Sequence, residues 1–202
     1  MSIPHVHWVL LGLFIVLFSW SAIDPFDYFI WTLEVFPAVI GLVVILASYG
    51  KFRLTDLAYT MILLHCIILM IGGHYTYAEM PLFDWLQERF DLARNYYDRV
   101  GHVAQGFFPA IVAREILLRL SPLESGKWLL FIVTSICLAI SAMYELLEWW
   151  IAIATGSTAD AFLATQGDVW DTQWDMFLAL CGAIVAQIAL TKTHDQAIRN
   201  LG

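Results

Sequence analysis

The residues best suited to chemistry are carboxylates and histidines that recur at helical spacing in the second half of the chain. Asn95, Asp98 and His102 are spaced i, i+3 and i+7, which places them on one stripe of a helix, with Gln105 one turn further on. Carboxylates suit Mg²⁺, Mn²⁺ or Ca²⁺, and an imidazole shifts the preference toward Mn²⁺ or Zn²⁺. The stripe is therefore a candidate site for a divalent cation.

Two further groups of acids are expected to reach the same level of the molecule. Asp168, Asp171 and Asp175 repeat the i, i+3, i+7 spacing, and Glu145 and Glu148 lie about one helical turn apart. Like charges on one stripe repel each other unless a cation or a proton intervenes. Because few basic residues lie nearby in the sequence, these acids predict a bound partner.

Together these residues define one predicted pocket. Its metal ligands are expected among Asp98, His102, Glu145, Glu148, Asp168, Asp171 and Asp175. The catalytic candidates are Asp98, His102 and Glu148, and the predicted substrate-binding residues are Arg99, Asn95 and Gln105. Arg99 is expected to pair with a phosphate. The alternative is a set of solvated helix ends, since an aspartate in the first turn of a helix is stabilised by the helix dipole.

The elements that position these residues are predicted to be membrane helices. The chain has 202 residues, of which 60% are hydrophobic and 14% charged, and its mean hydropathy is +0.73. Such a composition favours an all-α, polytopic membrane helix bundle that forms a single membrane domain over 1–202. About six transmembrane helices are expected, at 7–23, 28–49, 56–72, 102–120, 127–149 and 175–191. The short third and sixth spans are expected to continue as helices beyond the bilayer.

The distribution of basic residues predicts the orientation of the bundle. Seven of the ten lysines and arginines fall on one side of the proposed spans, namely Lys51, Arg53, Arg114, Arg119, Lys127, Lys192 and Arg199. By the positive-inside rule that side is the cytoplasm, so both termini are cytoplasmic and the acidic pocket faces outward. The outer segment 83–90 is expected to form a short helix in the membrane interface.

Other polar residues within the predicted spans carry weaker signals. Glu34 and His65 lie inside the second and third spans, where they form either interhelical hydrogen bonds or part of a proton or ion path. His74 either adds an imidazole to the pocket or anchors the chain in the interface. No P-loop, Gly-x-Ser-x-Gly elbow or HExxH motif is present.

Several distinctive stretches give the chain a resemblance to a known family. They are His74–Tyr77, Pro81–Trp85, Tyr97–His102 with Gln105-Gly106, Ala113–Glu115, Tyr144–Trp149 and Gly167–Asp175. In these stretches the sequence resembles the YjdF-like predicted inner-membrane proteins of bacteria. The resemblance implies a multi-pass protein of the bacterial inner membrane and implies no particular activity.

A second similarity is to VanZ-like membrane proteins. Their pattern of an Asp-Lys/Arg-x-x-His start, a later Glu and a closing Asp-x-x-x-Asn is similar to Asp98-Arg99 with His102, to Glu148, and to Asp171 with Asp175. This sequence departs from the pattern at the end, where Asp175 replaces the Asn and Leu178 replaces a glycine. A role in envelope-lipid or glycopeptide biology is what this similarity implies.

Three classes of function remain open on the sequence. The first is an enzyme in which a divalent cation (Mg²⁺, Mn²⁺ or Zn²⁺) assists chemistry on a lipid or lipid-linked phosphate. The second is a small ion or solute transporter, and the third is a non-catalytic module that binds a lipid, a cation or a partner protein. Membrane lipids are expected partners in each case, a homo-oligomer is compatible with all three, and no nucleic-acid partner is expected.

Overall fold

A computed structural model describes residues 3–156 and 163–201, and all regular structure in that part of the chain is helical. The helices are α1 (His5–Ser21), α2 (Tyr28–Ser48), α3 (Asp56–Tyr75), α4 (Pro81–Phe90), α5 (Tyr97–Leu120), α6 (Lys127–Thr155) and α7 (Asp171–Arg199). A 3₁₀ turn at Tyr77–Glu79 precedes α4. The predicted all-α class is confirmed, and the short helix expected at 83–90 is present as α4.

Local sequence signals explain where several helices begin and end. The Asp27 carboxylate accepts hydrogen bonds from the backbone N–H groups of Phe29 and Ile30, at 2.7 and 2.9 Å, and so caps α2. Thr55 caps α3 in the same way, by accepting from Ala58 at 3.1 Å. Pro81 occupies the first position of α4, where its missing N–H costs nothing, and Asp91 ends that helix in the left-handed conformation.

Contacts between distant residues show that the six long helices run alternately between two ends of the bundle. At one end, His7 at the start of α1 contacts Asp56 at the start of α3, and Arg114 near the end of α5 contacts Asp195 near the end of α7. At the other end, the backbone N–H of Phe26, just before α2, donates to the carbonyl oxygen of His74 at the end of α3. We call the first the basic end, because it holds Lys51, Arg53, Arg114, Arg119, Lys127, Lys192 and Arg199, and the second the acidic end.

Helix α5 is the centre of the bundle and packs against α3, α6 and α7, with its most extensive contact on α7. The two helices approach closely because glycines face the partner backbone. A Cβ on Gly106 would lie 1.8 Å from the carbonyl oxygen of Ala179, and one on Gly182 would lie 2.2 Å from that of Val103. This crossing brings the first turns of α5 and α7 together.

Within the described ranges, four helices are long and apolar enough to cross a membrane, namely α2, α3, α6 and α7, and α1 is a shorter apolar helix of 17 residues. Helix α5 has 24 residues but carries buried charged groups, Asp98, Arg99, Arg114 and Glu115 among them. Its polar groups face its neighbours in the bundle. Large apolar side chains point outward elsewhere, as at Val43 (60% exposed) and Ile188 (73%), as expected of helices that contact lipid.

Candidate functional site

Two arginines at the acidic end bind the aspartates of α5 and α7. Arg94 donates to Asp171 at 2.5 Å and to Asp98 at 3.3 Å, and it also donates to the carbonyl oxygen of Ala164 at 2.7 Å. Arg99 donates to Asp168 at 3.0 Å, to Asp171 at 2.5 Å, and to Asp175. We call these six residues (Arg94, Arg99, Asp98, Asp168, Asp171 and Asp175) the ion cluster. Two arginines thus bind four aspartates. The sequence had indicated few basic partners for these acids.

The imidazole of His102 lies inside a ring of three carboxylates contributed by three helices. Its Nε2 atom is 3.4 Å from Asp98 Oδ1 on α5, 3.6 Å from Asp175 Oδ1 on α7 and 3.9 Å from Glu145 Oε1 on α6. All four side chains are at most 8% exposed. We call His102, Asp98, Glu145 and Asp175 the carboxylate–histidine site.

One atom of this site has no partner of its own. Glu145 Oε1 is buried and makes no hydrogen bond with any described residue, although it points at His102. A buried carboxylate oxygen without a partner is costly. This oxygen is a candidate ligand for a bound cation, and a proton on Glu145 is the alternative.

The separations at this site match the spacing of ligands around a cation. Bonds of ~2.1 Å to a tetrahedral Zn²⁺ place neighbouring ligand atoms about 3.4 Å apart. The Nε2–oxygen separations are 3.4, 3.6 and 3.9 Å, whereas direct N–H···O hydrogen bonds fall at about 2.7–3.2 Å. One donor atom from each of Asp98, His102 and Asp175 lies within 4.8 Å of the others. These separations make the three side chains candidate ligands for a divalent cation, and Asp175 Oδ1 also accepts from Arg99.

Gln105 lies beside the imidazole of His102. Its side-chain carbonyl oxygen is 3.3 Å from His102 Nδ1. A hydrogen bond donated by Nδ1 to this oxygen would orient the ring with Nε2 facing the three carboxylates. Histidine ligands of metals are oriented in this way, by donating their second ring nitrogen to a neighbouring acceptor.

A polar cavity of about 110 Å³ lies beside the carboxylate–histidine site and between α2, α3, α5 and α6. Asp98, His102 and Gln105 line it from α5, and Tyr144 and Glu148 line it from α6. Glu34 of α2 and His65 of α3 line the opposite wall. The two intramembrane polar residues singled out from the sequence therefore share one cavity with two residues of the carboxylate–histidine site.

Tyr77 also lines this cavity and was missed by the sequence analysis. Its ring fills a slot made by two glycines, since a Cβ on Gly72 or Gly101 would come within 2.1 or 2.7 Å of it. Burial, with the charge of Glu34 as a second cause, raises the pKa of the Tyr77 hydroxyl well above its ordinary value. Tyr77 is therefore a neutral phenol. Gly72 and Gly101 were the sequence signal that could have indicated a buried ring at this position.

The predicted site residues are divided between three places. The carboxylate–histidine site contains Asp98, His102, Glu145 and Asp175, the cavity contains Glu148 and Gln105, and the ion cluster contains Asp168, Asp171 and Arg99. Asn95 is fully buried and donates to Asp84 at 2.7 Å and to the carbonyl oxygen of Met80, so it holds the start of α4. The binding roles predicted for Arg99, Asn95 and Gln105 stay predictions.

His74 lies outside the cavity. Its Nδ1 atom is 3.2 Å from the carbonyl oxygen of Ser21, and its ring packs on Trp20 with centroids 4.5 Å apart. Of the two roles considered for this residue, anchoring at the acidic end agrees with these contacts.

A second buried polar network, at the basic end, was also missed. Glu115 is fully buried and accepts from Thr55 at 2.6 and 2.8 Å and from Arg119 at 2.7 Å, and it lies 3.1 Å from His194. Arg114 completes the network through Asp195 at 2.6 Å. These groups satisfy one another and join α3, α5 and α7.

Fold and site define the class of this protein: a helical membrane protein with a buried carboxylate–histidine site at the acidic end of its bundle. The chain belongs to the family described as "Predicted membrane protein (DUF2238)", whose model matches residues 6–196. It is 49% identical over 183 residues to "Inner membrane protein YjdF" of Escherichia coli (strain K12), which covers 91% of this chain and 88% of that relative. It is therefore a multi-pass protein of the bacterial inner membrane. No solved structure gives a significant match.

Proposed function

We propose that the protein binds a divalent cation at the carboxylate–histidine site and uses it for chemistry on a lipid or lipid-linked phosphate. The observation that carries the proposal is the ring of Asp98, Asp175 and Glu145 around His102 Nε2, with Glu145 Oε1 left without a partner. Three carboxylates and one imidazole suit Mn²⁺ or Zn²⁺, and Mg²⁺ less well.

The proposed topology places this site outside the cytoplasm. All 202 residues form one membrane domain in which α1, α2, α3, α5, α6 and α7 cross the bilayer. Alternation between the two ends and the seven basic residues at one of them support six spans with both termini in the cytoplasm. Helix α4 then lies in the outer interface, where its exposed Leu82, Trp85 and Phe90 contact lipid.

The proposed reaction is hydrolysis of a phosphate ester. A cation bound here would polarise a phosphoryl oxygen. A water oxygen bonds to phosphorus while the bond from phosphorus to the lipid oxygen breaks. Glu148, which lines the adjoining cavity, accepts the proton of the water and passes it to the lipid oxygen, which leaves as the alcohol. The cavity supplies the water.

Arg99 can meet the phosphate only by giving up an existing partner. Its guanidinium already donates to Asp168, Asp171 and Asp175, and of these Asp168 is the most exposed, with 30% of its side chain accessible. A phosphate oxygen arriving from outside would therefore replace Asp168. Arg99 would then pair with the phosphate, as the sequence predicts.

Phosphate release from lipid vesicles tests the proposed reaction. Full-length protein in nanodiscs is mixed with phosphatidic acid or a long-chain isoprenoid phosphate, with Mn²⁺, Mg²⁺, Zn²⁺ or a chelator. We expect metal-dependent release of inorganic phosphate, and a loss of about 100-fold or more in Glu148→Gln, which removes the base. Glu88→Gln, on the exposed face of α4, is the matched control and should retain full activity.

Two results would decide against an enzyme. If no phosphate is released from either lipid although the protein binds Mn²⁺, the site belongs to a non-catalytic cation-binding module. If release is independent of Glu148 and insensitive to chelator, the assigned chemistry is wrong.

A further inference from the structure

The polar cavity next to the carboxylate–histidine site is lined by several acidic residues, which is unusual inside a membrane. Glu34, Asp98 and Glu148 all line it, yet none of its lining residues is a lysine or arginine. Asp98 is paired within the ion cluster, with Arg94 at 3.3 Å and Arg99 at 3.7 Å. No salt bridge among the described residues involves Glu34 or Glu148.

Glu34 is a buried acid inside an apolar helix. It is 5% exposed and lies in α2, which is long and apolar enough to span the membrane. An ionised carboxylate at such a position is stable only with a compensating charge. His65 also lines the cavity. Apart from the histidines, the positive charge that compensates the Glu34 carboxylate must therefore come from a proton or a bound cation.

The remaining atoms around the cavity are oxygen donors. The hydroxyl oxygen of Tyr144 is buried beside Glu34 and makes no hydrogen bond of regular geometry with the described residues. Pro37 and Pro109 lie inside α2 and α5 and line the cavity, and each removes the N–H that would bond the carbonyl four residues earlier. Carboxylates, hydroxyls and carbonyls freed at helix breaks are the ligands that bind Na⁺ inside membrane transporters.

We propose that this cavity is a second binding site, for a small monovalent cation of the Na⁺ type, with Glu34 and Tyr144 as its principal ligands and Glu148 and Gln105 nearby. The cavity of about 110 Å³ has room for such an ion with water, since a single water needs roughly 10–15 Å³. Because Asp98 and His102 line the cavity as well as the carboxylate–histidine site, an ion here lies next to the proposed divalent cation. The proposal does not depend on the phosphate chemistry.

Binding of radioactive ²²Na⁺ to the full-length protein in detergent tests the site directly. Choline replaces Na⁺ at constant ionic strength, and unlabelled Na⁺, Li⁺ and K⁺ compete. We expect saturable binding of one ion, weakened at least about tenfold in Glu34→Gln because an amide replaces the charged ligand. Tyr144→Phe removes only the hydroxyl and should weaken binding with the fold intact, which covers the case in which Glu34→Gln does not fold. Glu88→Gln should bind as the wild type does.

Failure of this proposal can be told from failure of the divalent site. Mn²⁺ binding is measured on the same samples, and we expect Glu34→Gln and Tyr144→Phe to retain it. No saturable ²²Na⁺ binding by the wild type would overturn the proposal and leave Glu34 as a protonated acid. Equal Na⁺ affinity of wild type, Glu34→Gln and Tyr144→Phe would overturn it as well.

Discussion

Asp171 accepts hydrogen bonds from both arginines of the ion cluster, at 2.5 Å each, so removal of either arginine leaves a buried carboxylate short of a partner. Buried ion pairs contribute little net stability compared with apolar packing, but breaking one is costly because the remaining charge is uncompensated. Their role here is positional, because they fix the first turn of α7 against the first turn of α5. This holds Asp175 beside His102.

The ion cluster gives a prediction at the scale of single residues. Arg99→Gln should lower the free energy of unfolding by about 3–5 kcal/mol, since it leaves the four aspartates of the cluster with one arginine. Adding Asp171→Asn should restore part of the loss by removing one of the unpaired charges. Thermal melting in detergent measures both, with exposed Arg89→Gln as a control that changes stability by less than about 0.5 kcal/mol. Equal melting of Arg99→Gln and Arg89→Gln would contradict this account of the cluster.

Sequence spacing predicted part of the helix faces correctly. Asp98 and His102 are four residues apart on α5 and do share the site. Asn95 and Asp168, predicted on the same helical stripes as their neighbours, lie before α5 and α7 begin. The partition among three places could not be predicted, because it depends on how α5, α6 and α7 are rotated against one another. The role of Arg94 could not be predicted for the same reason, since its bonds to Asp171 and to Ala164 join segments more than 60 residues apart.

At the scale of elements, the close crossing of α5 and α7 is what sets the distance between His102 and Asp175. Gly182 of α7 faces this contact, and Ala186, four residues on, is fully buried in a cluster with Ala110 and Ile111 of α5. Gly106 supplies the matching surface on α5. The structure thus adds the partner helix, which spacing alone does not identify.

Adding a methyl group at this crossing tests whether the crossing positions Asp175 beside His102. Gly106→Ala places a Cβ where the carbonyl oxygen of Ala179 now lies, so the helices must separate. We expect a loss of stability of about 1–3 kcal/mol and weaker Mn²⁺ binding, because Asp175 moves away from His102. Gly41→Ala on α2 meets nothing within 4 Å and should leave both unchanged. Unaltered Mn²⁺ affinity in a folded Gly106→Ala variant would show that the crossing does not position the site.

At the scale of the whole molecule, composition predicted the helical membrane fold, and charge asymmetry predicted two ends of opposite sign. The network of Glu115, His194 and Arg114 at the basic end was not predicted, because its members come from distant parts of the chain and each resembles an ordinary solvated charge. Buried ion networks at both ends of α5 explain how so polar a helix lies at the centre of an apolar bundle.

The proposed topology predicts which end is accessible from outside the cell. A cysteine at Glu88 on exposed α4 should react with a membrane-impermeant maleimide in intact spheroplasts, whereas one at exposed Lys51 should react only after permeabilisation. A reporter fused after Gly202 should read as cytoplasmic. The native Cys66, Cys137 and Cys181 are replaced beforehand to remove background. If Lys51→Cys reacts in intact spheroplasts and Glu88→Cys reacts only after permeabilisation, the orientation is the reverse of the proposed one. The carboxylate–histidine site then lies on the cytoplasmic side.

The central claim is that a divalent cation is bound by His102 together with the carboxylates around it. Electron spin echo spectroscopy of Mn²⁺ bound to the purified protein tests this claim most directly, because a coordinating imidazole nitrogen modulates the echo. We predict one bound Mn²⁺ per chain with nitrogen modulation that is lost in His102→Ala, and binding that is weakened in Glu145→Gln and unchanged in Glu88→Gln. Absence of stoichiometric Mn²⁺ binding, or a spectrum unaffected by His102→Ala, would contradict the account.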